Sequence, residues 1–183
     1  MQLGYLVLES CPRQDYHTIQ MLETLPSIPL FQDLEPEQLA LLKPLFEYHT
    51  CPADTVVFEQ GDPAAYLYLI LRGTVAIHYK PYDGQAITLT HLHAGDVFGW
   101  SAVVGSPAYT STLFCKAGLE AIRINGADLR KLCLRHPETG KIVLDRLARL
   151  VSKRWKDARK QVKSMLDEGL AKKYDVKRKA GAS

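Results

Sequence analysis

Between Val56 and Thr112 the chain alternates short apolar segments with glycine–aspartate turns. The segments read V-V-F-E-Q-G-D-P, L-Y-L-I-L-R-G-T-V-A-I, D-G, G-D-V-F-G-W-S-A and Y-T-S-T. Val56 and Phe58 alternate with Val57 and Glu59 as in a half-buried strand, which Gly61-Asp62-Pro63 turns. Leu67–Leu71 is continuously apolar, and Val75–Tyr79 follows Gly73. Tyr82-Asp83-Gly84 is a hairpin turn signal, Ile87–Leu92 the next strand, and Ala94-Gly95-Asp96 another turn. Trp100–Val104 reads as a single helical turn, with two further strands at Thr110–Cys115 and Leu119–Ile124. Strands this short and closely joined predict an antiparallel roll or jelly roll.

Helical patterns flank this region. Residues 14–25 place Ile19, Leu22 and Leu25 on one face before Pro26 and Pro29 break the pattern. Leu34-Glu35-Pro36-Glu37 opens a second helix carrying Leu39, Leu42 and Phe46, with proline and acids at its positive end. Asn125 or Asp128 can cap a third, built on Leu129, Leu132 and Cys133. His136-Pro137-Glu138 starts a fourth that can run to Gly169, about 45 Å at 1.5 Å per residue. The predicted class is mainly β with flanking helices: an antiparallel double-stranded β-helix (a jelly-roll-like β-roll) plus a long C-terminal helix.

A length of 183 residues suits one domain with an appendage, and 46% hydrophobic residues suit a globular chain. No apolar run approaches the ~20 residues of a membrane span. The start, M-Q-L-G-Y-L-V-L-E-S, has no basic region, and Glu9 interrupts its apolar stretch, so no secretory signal is expected and the cytoplasm is the expected location. Cys11, Cys51, Cys115 and Cys133 match no metal or C-x-x-C spacing and are expected to be reduced. Charge divides unevenly. Residues 141–183 hold 14 of the 23 Lys/Arg and 5 of the 20 Asp/Glu, a balance of +9; the remaining 9 basic and 15 acidic residues give 1–140 a balance of −6. Any anionic partner is therefore expected at the basic tail.

The last helix has a heptad seam: Leu144, Ala148, Val151, Trp155, Ala158, Val162 and Met165 alternate four- and three-residue steps. Leu147 and Leu150 lie beside it and can dock the helix onto the roll. The far side carries Arg146, Arg149, Lys153, Lys156, Lys160 and Lys163. A helix this long outruns a small domain beyond about residue 155. A second copy is the simplest cover for Trp155, Val162 and Met165, so a homodimer is expected. Arg154 and Arg159, at flanking positions, work against tight pairing unless counterions or an acidic surface intervene.

Together, F-E-Q-G-D, Y-L-I-L-R-G-T-V, D-G, L-x-x-G-D-V-F-G, the short helix, Y-T-S-T and the long final helix resemble the cyclic-nucleotide-binding domain of the catabolite-activator and Fnr type. The resemblance covers about residues 28–168. It implies an N-terminal extension at 1–27, the roll with its leading helix at 28–136, a dimerisation helix at 137–168 and a flexible basic tail at 169–183. It also implies a ligand site at Phe98, Gly99, Trp100, Ser101, Ala102, Tyr109, Thr110, Ser111 and Thr112, taking a cyclic nucleotide or another small anionic ligand. Two positions depart from the family. Its ribose-binding glutamate, after F-G, is Trp100 here; its phosphate-binding arginine, nine positions later, is Tyr109, and Ala108 supplies none either. A charge-assisted bond contributes about 1.5–3 kcal/mol, so losing both weakens cyclic-AMP binding by roughly 10²–10⁴-fold. Backbone N–H groups of Gly99–Ala102 and hydroxyls of Tyr109, Thr110 and Thr112 are what remains for a phosphate. Three outcomes stay open: ordinary cyclic-AMP binding, a different ligand, or none, with Trp100 filling the pocket.

Fnr-type regulators bind DNA through a helix-turn-helix after the long helix. About 15 residues follow Gly169 here, so sequence-specific DNA binding is not expected. The basic helix and tail can instead meet an acidic protein partner, an anionic membrane surface or nucleic acid without sequence preference, or form a solvated face. His91 and His93 form H-x-H on a strand, but the later histidine and placed glutamate of metal-binding cupins are missing. No nucleophile elbow, P-loop or dinucleotide fingerprint occurs. The expected protein is a non-enzymatic regulatory or sensor module. The alternative is an adaptor with a ligand-free roll.

Overall fold

The computed structural model describes Leu25 and residues 28–80 and 85–153. The helix expected over 14–25, the Tyr82-Asp83-Gly84 turn, and the seam and basic tail beyond residue 153 lie outside these residues. Six antiparallel strands form the roll: β1 (Phe46–Cys51), β2 (Thr55–Phe58), β3 (Tyr66–Tyr79), β4 (Ile87–Leu92), β5 (Val97–Phe98) and β6 (Thr112–Asn125). Their order is β1-β6-β3-β4, with β2 paired to β6 and β5 to β3. Helix α1 (Pro36–Leu42) precedes the roll, α2 (Ser101–Val104) interrupts it, α3 (Gly126–Arg135) leaves it, and α4 spans 137–153.

β3 and β6 are each one strand of 14 residues where the sequence pattern suggests two. Their mutual register shifts between Ile70 and Arg72 and again between Gly73 and Val75, so the ladder bends without ending. Glycine is required at the bend. Gly73 has φ +99, and a Cβ there would lie 1.8 Å from the Gly118 carbonyl oxygen.

The continuous apolar run of β3 is buried on both faces. Tyr68, Ile70, Val75 and Ile77 point into the roll with Phe58, Phe98 and Leu113. Leu67 and Leu69 point the other way, joining Ile122, Leu42, Leu129 and Leu147 beneath the helices. Period-two alternation survives, but it sorts residues between two cores rather than between core and water.

The helices follow their sequence signals with two corrections. Phe46 does not continue α1. The chain tightens into a 3₁₀ turn at Lys43–Leu45, and Phe46 begins β1, because Pro44 has no N–H with which to extend an α-helix. Arg146 is not on an outer basic row. Its guanidinium donates to the carbonyls of Leu30 (3.3 Å) and Gln32, tying α4 to the segment before α1. At the start of α3, the Asn125 carboxamide accepts from the N–H groups of Ala127 and Asp128 at 3.0 and 3.3 Å, so Asn125 is the cap. Leu147 is fully buried and Val151 nearly so, while Leu144 and Leu150 pack partly on the same core. Ala148 is exposed. Among the described residues no helix is long and apolar enough to cross a membrane.

Candidate functional site

A cavity of about 240 Å³ opens where α2, β4 and α4 meet the inner face of the roll. Its apolar wall consists of Phe58, Ile77, Leu89, Phe98 and Leu113, with Trp100 and Val151 on the helical side. Thr90, Ser101, Thr110 and Ser111 bring hydroxyls, and Tyr79 completes the lining with the backbone of Gly99. Among the described residues, no charged side chain lines it.

The turn into α2 is fixed by backbone geometry. Gly99 has φ +78, and a Cβ there would sit 2.4 Å from the Tyr66 carbonyl oxygen, so only glycine lets this turn lie against β3. Phe98 is thereby stacked on Tyr68, with ring centroids 4.7 Å apart and planes 7° from parallel. Burial first, then the nearby Tyr109, pushes the Tyr68 phenol up to about 12, against the lowering influence of Arg123. Arg123 is not in the cavity lining. It pairs with Glu47 at 2.8 Å and lies over the Tyr66 ring at 4.3 Å.

Tyr109 presents its ring to the cavity and its hydroxyl elsewhere. The ring stacks on Phe58 at 3.6 Å and 12°. The hydroxyl donates to the Tyr66 carbonyl at 2.8 Å and accepts from the Tyr66 N–H at 2.9 Å. Burial, the largest influence, holds this phenol above its ordinary value, although its backbone hydrogen bonds pull the other way.

Seven of the nine residues picked from sequence line the cavity: Phe98, Gly99, Trp100, Ser101, Tyr109, Thr110 and Ser111. Ala102 and Thr112 do not. The Ala102 carbonyl accepts from Arg130 and its N–H donates to Gly99 O at 3.0 Å; the Thr112 hydroxyl accepts from the Gln60 N–H at 3.0 Å. Of the groups considered for phosphate, the Tyr109 hydroxyl and the Ala102 N–H are thus already donating elsewhere, and Thr112 lies outside the lining. Thr110 keeps its place in the lining. Trp100 lines the cavity rather than filling it, and it also packs against the helical core. Phe58, Ile77 and Leu113 were missed as lining residues, although their inward alternation along β2, β3 and β6 is a readable signal. Leu89 and Thr90 have no comparable signature.

The histidines of H-x-H are both exposed. His93 bonds Thr74 through its ring at 3.3 Å, and among the described residues no three His, Cys, Asp or Glu are grouped so as to hold a metal ion.

A fold of this kind is matched in known proteins. The family model for the cyclic nucleotide-binding domain matches residues 48–136. The chain belongs to the cyclic nucleotide-binding domain family. A CRP-like cAMP-activated global transcriptional regulator of Mycobacterium tuberculosis is 30% identical over 127 residues, covering 69% of this chain and 57% of the regulator. The chain thus spans little more than half the length of that relative. A putative cyclic nucleotide-binding protein from Geobacter metallireducens superposes with TM-score 0.64 at 27% identity, covering 73% of this chain and 96% of that one. A cyclic nucleotide-binding domain from Methylobacillus flagellatus superposes with TM-score 0.70 at 21% identity, over 90% of this chain and 97% of that one.

Within the cyclic nucleotide-binding domain the two departures noted from sequence fall at the cavity. Trp100 stands in its wall, and Tyr109 is built into the β2–β3 region through its ring and hydroxyl. Ala108, the other candidate for the arginine's place, is outside the lining; its carbonyl accepts from the Ser106 hydroxyl at 2.9 Å. At neither place does the described lining carry a charged side chain.

Proposed function

We propose that this protein is a non-enzymatic, cytoplasmic regulatory module of the cyclic-nucleotide-binding-domain type. Its roll has lost the standard mode of cyclic-AMP binding, and its output passes through the C-terminal helix. The observation that carries this is the shared position of Trp100 and Val151. Both line the cavity, and both belong to the apolar core in which α4 is seated. A ligand that moves α2 or fills the cavity therefore works directly on α4, a helix shift of the kind that biases two-state switches. The exposed Lys141, Arg149 and Lys153 on α4 support a basic output surface for an acidic partner.

The heptad series Leu144, Ala148, Val151, Trp155, Ala158, Val162 and Met165 supports a homodimer through the same helix. At its described end the seam is shared between tasks. Val151 faces the cavity and Ala148 is exposed, so pairing falls chiefly to the later positions.

Titration calorimetry with cyclic AMP and cyclic GMP tests the ligand claim. The wild type is expected to show no low-micromolar binding to either, and such binding overturns the proposal. The Trp100→Glu, Ala108→Arg double variant is expected to gain cyclic-AMP affinity. Ala108 is chosen because Tyr109 is structural and an arginine there would break its bonds to Tyr66. Sedimentation of the full chain is expected to give a dimer, and the chain truncated after Pro137 a monomer or insoluble protein.

A further inference from the structure

We infer that the cavity selects an uncharged, ring-bearing small molecule and discriminates against anionic ones. This rests on the regulatory reading above and names the class of ligand for the same cavity.

Three features point there. The walls are apolar and aromatic: Phe58 and Tyr109 form a stacked pair at 3.6 Å, and Phe98, Leu113 and Trp100 continue the surface. Such walls suit a flat hydrophobic body. Second, the lining contains no Lys, Arg or His among the described residues, and Arg123, which lies opposite Tyr68 on β3 and pairs with Glu47, is outside it. An anion entering the cavity would lose water with no cation to replace it, which is heavily disfavoured. Third, two donors that a phosphate would need are already spent. The Tyr109 hydroxyl donates to the Tyr66 carbonyl and the Ala102 N–H to the Gly99 carbonyl.

What the lining does offer is neutral. Ser101, at the start of α2, and Thr110 and Ser111 bring hydroxyls to the lining. Hydroxyls donate to a carbonyl, ether or ring nitrogen and accept from an N–H, so they orient a neutral ligand without requiring charge. The volume of about 240 Å³ is near the small end of ligand sites, which run to roughly 300–1,000 Å³, and fits one or two rings rather than a dinucleotide.

Two fluorescent probes share an anilinonaphthalene body and differ by one sulfonate: neutral N-phenyl-1-naphthylamine and anionic 8-anilinonaphthalene-1-sulfonate. Each is titrated into the full-length Trp155→Phe variant, in which Trp100 is the remaining tryptophan and reports occupancy by energy transfer. High salt screens the basic tail. The neutral probe is expected to bind with low-micromolar Kd and the sulfonate at least about tenfold more weakly, reflecting the unpaired buried charge. Ser111→Tyr, which fills the cavity, is expected to abolish the transfer signal while the circular dichroism spectrum stays that of the parent. Equal or tighter binding of the sulfonate overturns the inference, as does failure of both probes to bind or neutral binding that survives Ser111→Tyr. Those results leave the regulatory reading standing. Displacement of the neutral probe by micromolar cyclic AMP overturns that reading itself.

Discussion

The Tyr109 hydroxyl closes a two-way hydrogen bond with the backbone of Tyr66, donating to its carbonyl at 2.8 Å and accepting from its N–H at 2.9 Å. The pair pins the loop after α2 to the start of β3 across 43 positions of sequence. It also commits the phenol to the backbone, so the Tyr109 hydroxyl serves the fold.

Tyr109→Phe keeps the ring and its stack on Phe58 but leaves the Tyr66 N–H and carbonyl without that partner. Orphaned part-buried backbone groups cost about 1–3 kcal/mol. Urea denaturation should show the unfolding free energy falling by that amount, through a lower midpoint at an unchanged m-value.

Gly61 and Gly73 both have φ +99 but differ in surroundings. Gly61→Ala meets nothing within 4 Å and should cost only backbone strain, about 1–3 kcal/mol. Gly73→Ala drives a methyl into Gly118 O and should cost more than about 4 kcal/mol, recovering mostly insoluble protein. Comparable soluble yields and midpoints for the two variants would remove the close strand approach from the account.

His49 packs edge-on to Tyr68, with ring centroids 5.4 Å apart. Burial first, then the Arg123 charge, lowers its pKa below the ordinary 6.5, partly countered by Glu47. The unfolded chain therefore binds the proton more readily. The stability from neutral His49 is fully present above pH 6.5 and is lost as pH falls through the lower folded-state value. Urea midpoints at pH 7.5 and 5.5 should drop less in His49→Phe than in the wild type.

Cys115 is fully buried, and burial first, then neighbouring Cys51, pushes its thiol above the ordinary range. Cys51 lines an open surface groove with Arg72 and Glu120. Mass-mapped alkylation under native conditions should label Cys51 well before Cys115, and denaturant should equalise the two. Equal native rates would mean that the β1–β2 corner opens readily.

Much of the fold is legible locally. The turns at Gly61-Asp62 and Gly95-Asp96, the helical turn after Gly99 and the cap at Asn125 each depend on a few adjacent residues, and each forms where the pattern places it. In sequence, Leu67–Leu71 and Val75–Tyr79 are two apolar segments with Gly73 between them. It is a bend, and that is visible only once Gly118 lies opposite. The same limit applied at the site. A two-residue period says that Phe58 and Ile77 face inward, but not that they share a cavity with Ser111.

The sequence by itself determined the roll, the helices at Pro36–Leu42 and Gly126–Arg135, the family and the uncharged side chains at Trp100 and Tyr109. These rest on local turn chemistry, short-range periodicity and residue identity. Only the tertiary structure decided that Tyr109 serves Tyr66, that Arg146 holds carbonyls 116 and 114 positions away, and that Val151 faces the cavity. Periodicity assigns a side chain to a face, whereas its partner is chosen by chain segments brought together in folding. The cavity's lack of charge is likewise a property of that assembly: it depends on which stretches of those faces meet there.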